Sequence, residues 1–449
     1  MSGPLLIEGC AIATVDPSGT EHAEGWILVG EGRITALGAG APPAAEGAAR
    51  IDGSGCLATP GLVNCHHHLY QWSTRGLAQD EDLFGWLAFL YTRWARLDAE
   101  TTHLAARAAL GALAVSGCTT STDHHYLFPA GGGDLLEAAI RAAAEVGLRF
   151  HPARGSMDLG ASAGGLPPDE VVEDRDAILA ATDAAIDRWH DPSPGSMLRI
   201  AVAPCSPFSV TEGLLLESAA LARRRGVRLH THLAETLDEE RFCLERFGVR
   251  PVEYLDRLGW LGPDVWLAHC VHLSAPEVAR LAETGTGVAH CPSSNARLGS
   301  GIAPAADLVD AGGTVGLGVD GAASNECGEL AAELRQALYL ARLRGGPRAM
   351  TARTALALGT VHGARCLGRD DEIGSLEPGK LADIALWRVD GAGQAGIDDP
   401  VAALVLGPPR PAELVLVAGE PVARAGRTVA ADADEIARGA AAASERMAA

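Results

Sequence analysis

The chain has 449 residues, 47% of them hydrophobic and 21% charged, the composition of a soluble globular protein with room for two or three domains or one large barrel. No run approaches the ~18 consecutive apolar residues that a membrane-spanning helix needs. With 36 Lys and Arg against 57 Asp and Glu, the formal charge of −21 argues against binding a nucleic-acid backbone.

The opening "MSGPLLIEGCAIATVD" has neither a basic n-region nor a long apolar core, so no secretory leader is expected. Residues 1–56 read as short strands and turns (LLIEGCAIATVD, GWILVGEGRITALG). From Leu57 onward, apolar β-rich runs alternate with alanine- and leucine-rich helical stretches. The runs read as strands are LATPGLVNCHHH, CTTSTDHH, LRFHPARG, MLRIAVAP, VRLHTHL, VWLAHC, TGVAHC and TVGLGVDG. Patterns such as AETTHLAARAALGALAVSG, GDLLEAAIRAAAEVG and SAPEVARLAETG separate them, several closing on a C-terminal Gly. Eight strand–helix units over residues 57–370 predict an α/β fold with a (β/α)8 TIM-like barrel. From residue 371 short strands return (GSLEPGKLADIALWRV, AELVLVAGEPVARAG), followed by an alanine-rich tail. Residues 1–56 and 371–449 together are therefore expected to build a small composite β-sandwich domain beside the barrel.

The ten cysteines never come closer than the nine residues between Cys56 and Cys65, so no C-x-x-C unit exists. That scatter predicts reduced core thiols and a cytoplasmic protein. Lys380 is the only lysine.

The histidines carry the chemistry. In "NCHHHLYQ" alternate side chains of a strand share a face, so His66 and His68 point one way and His67, as a packing or supporting residue, the other. They end the first barrel strand, and active sites of such barrels sit at the C-terminal strand ends. The same address recurs at His230, His232 and Glu235 in "RLHTHLAE", at His269 in "WLAHC", at His290 in "GVAHCPSSN" and at Asp320 in "GLGVDGAASN". Imidazoles plus an Asp suit Zn²⁺ or a similar divalent ion with a position left for water.

These segments, with "PGLVNCHHH", "HCPSSNARL" and the late "GSLEPGKLADIALW", resemble the amidohydrolase superfamily, in particular its mononuclear aminohydrolase branch, over essentially the whole chain. The resemblance implies metal ligands at His66, His68, His232 and Asp320, and proton-handling residues at Glu235 and His269, with Asp320 doubling as a proton acceptor. Binuclear relatives often use a carboxylated barrel lysine; Lys380 lies outside the barrel, so one metal is expected, zinc first and iron(II) as the alternative. An ion of this kind lowers the pKa of water toward neutrality.

Within that branch, "HHHLYQWSTRG", "STDHHYLFP", "RGSMDLGASAGGLPPD", "PCSPFSVT" and "DVWLAHCVHL" resemble the 8-oxoguanine deaminase group, whose members are often labelled triazine hydrolases. The expected reaction is hydrolysis of 8-oxoguanine to urate and ammonia. Gln71 falls where related guanine deaminases place a substrate-binding Gln, and an amide offers a donor and an acceptor to a purine edge. Tyr126 and Arg154 are further candidate substrate contacts at strand ends, each equally readable as a packed aromatic and a loop salt bridge. Guanine, isocytosine or pterin deamination and s-triazine (hydroxyatrazine-type) hydrolysis are the alternatives. Relatives that dechlorinate can lack the Glu of "HLAE" and the Asp of "GVD"; both are kept here, which favours deamination. A non-catalytic scaffold on the same fold is the reading from a different class, and intact ligand positions speak against it. The partner expected is a small heterocyclic amine, with no nucleic acid or membrane, and self-assembly into a homo-oligomer stays open.

Overall fold

The computed structural model describes residues 3–448. Eight parallel strands close into a barrel: Leu62–Asn64, Cys118–His125, Arg149–Ser156, Ala201–Pro204, Leu229–Leu233, Val265–His269, Gly287–His290 and Val315–Leu317. The last closes on the first through Leu317 opposite Asn64. Helices return the chain between most of these strands, and their ends follow local chemistry. Asp98 accepts from the Thr101 N–H to open Ala99–Val115, Thr211 caps Glu212–Arg225, and Ser274 with Glu277 forms a capping box on Ala275–Thr284. Gly226 and Gly285 end the last two helices in the left-handed conformation that favours glycine.

The stretch read from sequence as one strand, Leu57 to His68, divides at Pro60-Gly61. Cys56–Pro60 belongs to a second, nine-stranded sheet, parallel to Leu5–Ala13 and antiparallel to Ile384–Arg388, while Leu62–Asn64 enters the barrel. The crossing is tight: a Cβ on Gly61 would stand 2.1 Å from Thr119 Cγ2. Both chain ends thus build one sheet, with its own core of residues such as Ile7, Ile27, Ile384 and Leu416. Arg149, the first residue of the third barrel strand, ties this sheet to the barrel through Asp383, with Nη2 to Oδ1 at 3.1 Å and both side chains buried. The alanine-rich tail does not extend the sheet. It forms the helix Ala433–Ala448, which returns to the barrel helix Ala99–Val115 through Arg107 and Glu435 at 2.9 Å and Arg446 and Asp98 at 3.4 Å. No helix among the described residues is long and apolar enough to cross a membrane.

Candidate active site

Hydrogen bonds to backbone carbonyls fix the protons of the histidine cluster, because a carbonyl oxygen can only accept. His68 Nδ1 lies 2.7 Å from the His124 carbonyl and His232 Nδ1 lies 2.7 Å from that of Cys205. Both Nδ1 atoms therefore carry the proton, leaving each Nε2 a lone pair. These two Nε2 atoms face each other at 3.1 Å. With no proton between them the approach is not a hydrogen bond. His230 Nδ1 donates to the Trp266 carbonyl at 2.8 Å, so its Nε2 must accept from His66 Nδ1, also at 2.8 Å. His66 Nε2 is then a third lone pair, buried and without a hydrogen-bond partner. Asp320 Oδ1 completes the group, 3.3 Å from His66 Nε2 and 3.4 Å from His68 Nε2.

Four lone-pair donors converging without a proton among them are mutually repulsive unless a cation lies between them. Ligands at about 2.05 Å around a tetrahedral ion stand about 3.3 Å apart, which is the spacing observed. Burial holds His68, His232 and His230 well below the usual imidazole range and lowers His66 despite Asp320, so all four are neutral, as ligands and their supports must be. The donor set fits a divalent metal.

Backbone strain aims the remaining groups. Ala234, His269 and Asp320, each at or just past a barrel strand end, have φ of 53°, 72° and 62°, in the left-handed region that costs non-glycine residues about 1–3 kcal/mol each. Glu235 follows the first of these turns, and Glu239 braces it by accepting the Ala234 and Glu235 N–H groups at 2.7 and 2.9 Å. Glu235 Oε2 lies 3.5 Å from His269 Nε2. Burial pushes the Glu235 carboxyl up to about 7 although His269 opposes it. Burial lowers His269, but Glu235 and Asp320 outweigh it and leave that imidazole above its ordinary value. On its other side His269 Nδ1 donates to Asn295 Oδ1 at 3.0 Å. Burial would raise Asp320; the His66 contact and the His269 charge hold it well below the carboxylate range instead. Its Oδ2 accepts from Ser294 Oγ at 2.6 Å and its Oδ1 from the Gly321 N–H at 2.8 Å.

His68, His232, Glu235, His269 and Asp320 line one cavity, walled on its apolar side by Trp86, Tyr91 and Phe208. Gln71 and Tyr126 line it as well. The Gln71 Oε1 is buried without a partner and lies against Gly321, where any Cβ would collide with it at 1.8 Å. Arg154 does not line this cavity. Its guanidinium is spent on Glu173 at 2.7 and 3.0 Å and stacks over Phe128, so the salt-bridge alternative describes its position. His67 turns away from the metal group, its Nδ1 accepting the His68 N–H at 2.8 Å. His290 is buried, with Nδ1 unpartnered, and lies outside the cavity lining.

The sequence profile of the amidohydrolase family matches residues 57–422. The chain belongs to the amidohydrolase family. An 8-oxoguanine deaminase from Pseudomonas aeruginosa (strain PAO1) is 51% identical to it over 400 residues, 88% of this chain and 89% of the relative. An isoxanthopterin deaminase from an unknown prokaryotic organism is 38% identical over 87% of this chain and 84% of its own length. Among solved structures, an atrazine chlorohydrolase from Arthrobacter aurescens TC1 complexed with zinc superposes with a TM-score of 0.93 at 36% identity, covering 98% of this chain and 99% of that one.

Several residues of this amidohydrolase site escaped the sequence reading. Ser294 and Asn295 stand in the quoted "HCPSSN", yet nothing in their spacing says that they hold Asp320 and His269. Glu239 is four residues beyond Glu235 and looks like a helix-surface carboxylate, but it is fully buried. The apolar wall from Trp86 and Tyr91 comes from a helix before the second barrel strand and carries no motif.

Proposed function

We propose that this protein is a zinc-dependent aminohydrolase that converts 8-oxoguanine and water to urate and ammonia, with His66, His68, His232 and Asp320 as the metal ligands. The observation that carries the reading is the pairing, in one buried cavity, of the converging lone-pair donors with a carboxyl at about 7, Glu235, one hydrogen-bond step from His269. The 51% identical 8-oxoguanine deaminase supports the substrate, and the zinc-bound chlorohydrolase of the same fold supports the metal. The ion, when bound, supplies Lewis acidity that makes water a nucleophile at neutral pH.

The side chains handle the protons. Glu235, near its midpoint at pH 7, takes a proton from the attacking water and gives it to the ring nitrogen beside the amino-bearing carbon. As the C–O bond forms, the electron pair of the C=N bond moves onto that nitrogen. His269, held by Asn295 and raised above its ordinary value by Glu235 and Asp320, faces the attacking oxygen, on which charge develops as its second proton leaves. Asp320 accepts the second water proton, which passes to the amino group; the C–N bond then breaks, ammonia leaves and a carbonyl remains. Gln71 offers its unpartnered Oε1 to a ring N–H, and Trp86, Tyr91 and Phe208 cover the flat faces.

The test is ammonia release from zinc-loaded protein with 8-oxoguanine, guanine, isoxanthopterin and hydroxyatrazine side by side. Turnover of 8-oxoguanine at least tenfold above the others, abolished by Glu235→Gln, is the expected result. Preference for another of the four amines would overturn the substrate and leave the machinery; no ammonia from any of them would overturn both.

A further inference from the structure

A second cavity, of about 260 Å³, opens at the other end of the barrel, beside the N-terminal ends of the third, fourth and fifth strands. His151, His190, Arg199 and Arg228 line it, and among the described residues no acidic side chain does. In a chain with a net charge of −21, a basic hollow without a carboxylate is a departure that needs a cause.

The two guanidinium groups that line the cavity are the ones least well paired. Arg149 is matched by Asp383 at 3.1 Å and Arg369 by Glu372 at 2.7 Å. Arg199 shares that same Glu372 at 3.4 Å. Arg228 donates only to backbone carbonyls, those of Cys366 and Pro263, both at 2.9 Å. Asp264 and Asp370 attract Arg228 from a distance while bonded to Arg223 at 2.9 Å and Arg365 at 3.3 Å, and the exposed Asp191 does the same for Arg199 and His190. Neither lining guanidinium thus has a carboxylate of its own: Arg199 shares Glu372 with Arg369, and Arg228 has no ion pair among the described residues.

Hydrogen-bonding capacity is left over too. His151 is buried at 2% exposure, and its Nδ1 has no partner. Arg369, with no exposure at all, has Nη1 unpartnered. His190 Nδ1 accepts the Ile200 N–H at 3.0 Å, so its proton sits on Nε2 as a donor. A buried imidazole nitrogen without a partner and a guanidinium without an ion pair are costly unless a polar group with negative charge meets them.

We infer that this cavity is a binding site for a small oxyanion, either free phosphate or the phosphate group of a phosphomonoester, held by Arg199, Arg228 and the two histidines. It lies at the barrel end opposite the catalytic cavity.

Gly226 offers a test that leaves every cationic group in place. It lines the cavity, has φ of +65°, and a Cβ there would meet nothing within 4 Å. Asp and Asn both tolerate that backbone conformation, so Gly226→Asp adds a negative charge at the rim and Gly226→Asn is its neutral twin. Isothermal titration of the metal-loaded protein uses inorganic phosphate and adenosine monophosphate as probes, in potassium chloride at matched ionic strength. Binding that Gly226→Asp weakens at least about tenfold, by like-charge repulsion, and that Gly226→Asn retains would support the site. Phosphate alone binding makes the free ion the ligand, and adenosine monophosphate alone makes it a phosphomonoester. Arg199→Gln, which removes a donor without adding charge, should give the same loss. No binding of either probe, or equal affinity in wild type and Gly226→Asp, would overturn the inference. Because ammonia release is assayed separately, failure here leaves the proposed reaction untouched.

Discussion

Replacing Ser294 with Ala removes one oxygen from the site and tests whether Asp320 is held for a metal. Ser294 is fully buried in the short helix Pro292–Arg297 that follows the seventh barrel strand, and it donates to Asp320 Oδ2 at 2.6 Å. Ser324 Oγ reaches the same oxygen only at 3.3 Å. The variant therefore strips the carboxylate of its shortest bond and fills no space. A hydrogen bond to a charged group contributes about 1.5–3 kcal/mol, and each 1.4 kcal/mol is about tenfold in affinity. If most of that energy orients Asp320, metal affinity falls by about 10- to 100-fold, the range seen when the partner of a metal ligand is removed. The assay is competition for zinc between the protein and a chromophoric chelator, wild type against Ser294→Ala, with turnover measured at saturating metal. Metal-saturated turnover should fall by less than about tenfold, since the ligand itself remains. Zinc affinity within twofold of wild type would refute the reasoning and leave Ser294 as a packing residue.

Glu235 must be ionised to take a proton, and burial places its ionisation at about 7; kcat/KM should therefore rise with pH to a shoulder near neutrality, and a limb near 4.5 would show that the buried carboxyl is not the base. Glu235→Gln should lower kcat by about 10²–10⁴-fold with metal content unchanged by elemental analysis. Gln71→Leu, which removes the unpartnered Oε1 without much change of volume, should raise KM for 8-oxoguanine by about tenfold or more and move kcat little, because the lost bond is made before and during reaction alike. Asp383→Ala leaves the fully buried Arg149 without its counter-charge, and breaking such a pair costs about 3–5 kcal/mol; the melting temperature should drop by several degrees while zinc affinity holds.

The barrel was legible because its strands and helices differ in period and because turn chemistry punctuates them, as at Thr211 and Gly226. That Cys56–Pro60 pairs in the other sheet was not, since Leu57, Ala58, Leu62 and Val63 are apolar on both sides of Pro60-Gly61 and both halves are buried strands. The tail helix was misplaced for a related reason: alanine-rich composition says helix but not which surface it covers, and the contacts of Glu435 and Arg446 with the barrel are long-range. At the site, the spacing of His66 with His68 and the HLAE and GVD segments displayed the groups that meet the cavity. Arg154 has the right residue type at a strand end, yet Glu173, nineteen positions later, captures it. Spacing along one strand could not announce that partner.

The histidines outside the cavity explain why a barrel interior, which in this architecture is filled mainly by branched apolar side chains, is here so rich in imidazole. His230 lines no part of the cavity but stacks on Trp266 with ring centroids 4.4 Å apart and has its proton fixed by that residue's own carbonyl. Its one remaining lone pair dictates the tautomer of His66, and so turns His66 Nε2 toward Asp320. A glutamine at 230 could present its amide nitrogen to His66 Nδ1 instead, and His66 would then carry its proton on Nε2, the atom proposed to bind the metal. His230→Gln should therefore weaken zinc binding with every proposed ligand still present, whereas His67→Gln, just past the first strand and turned away from the metal group, should not. Equal zinc affinity in the two variants, measured by the same chelator competition, would break the chain of protons argued from the Trp266 carbonyl to the site.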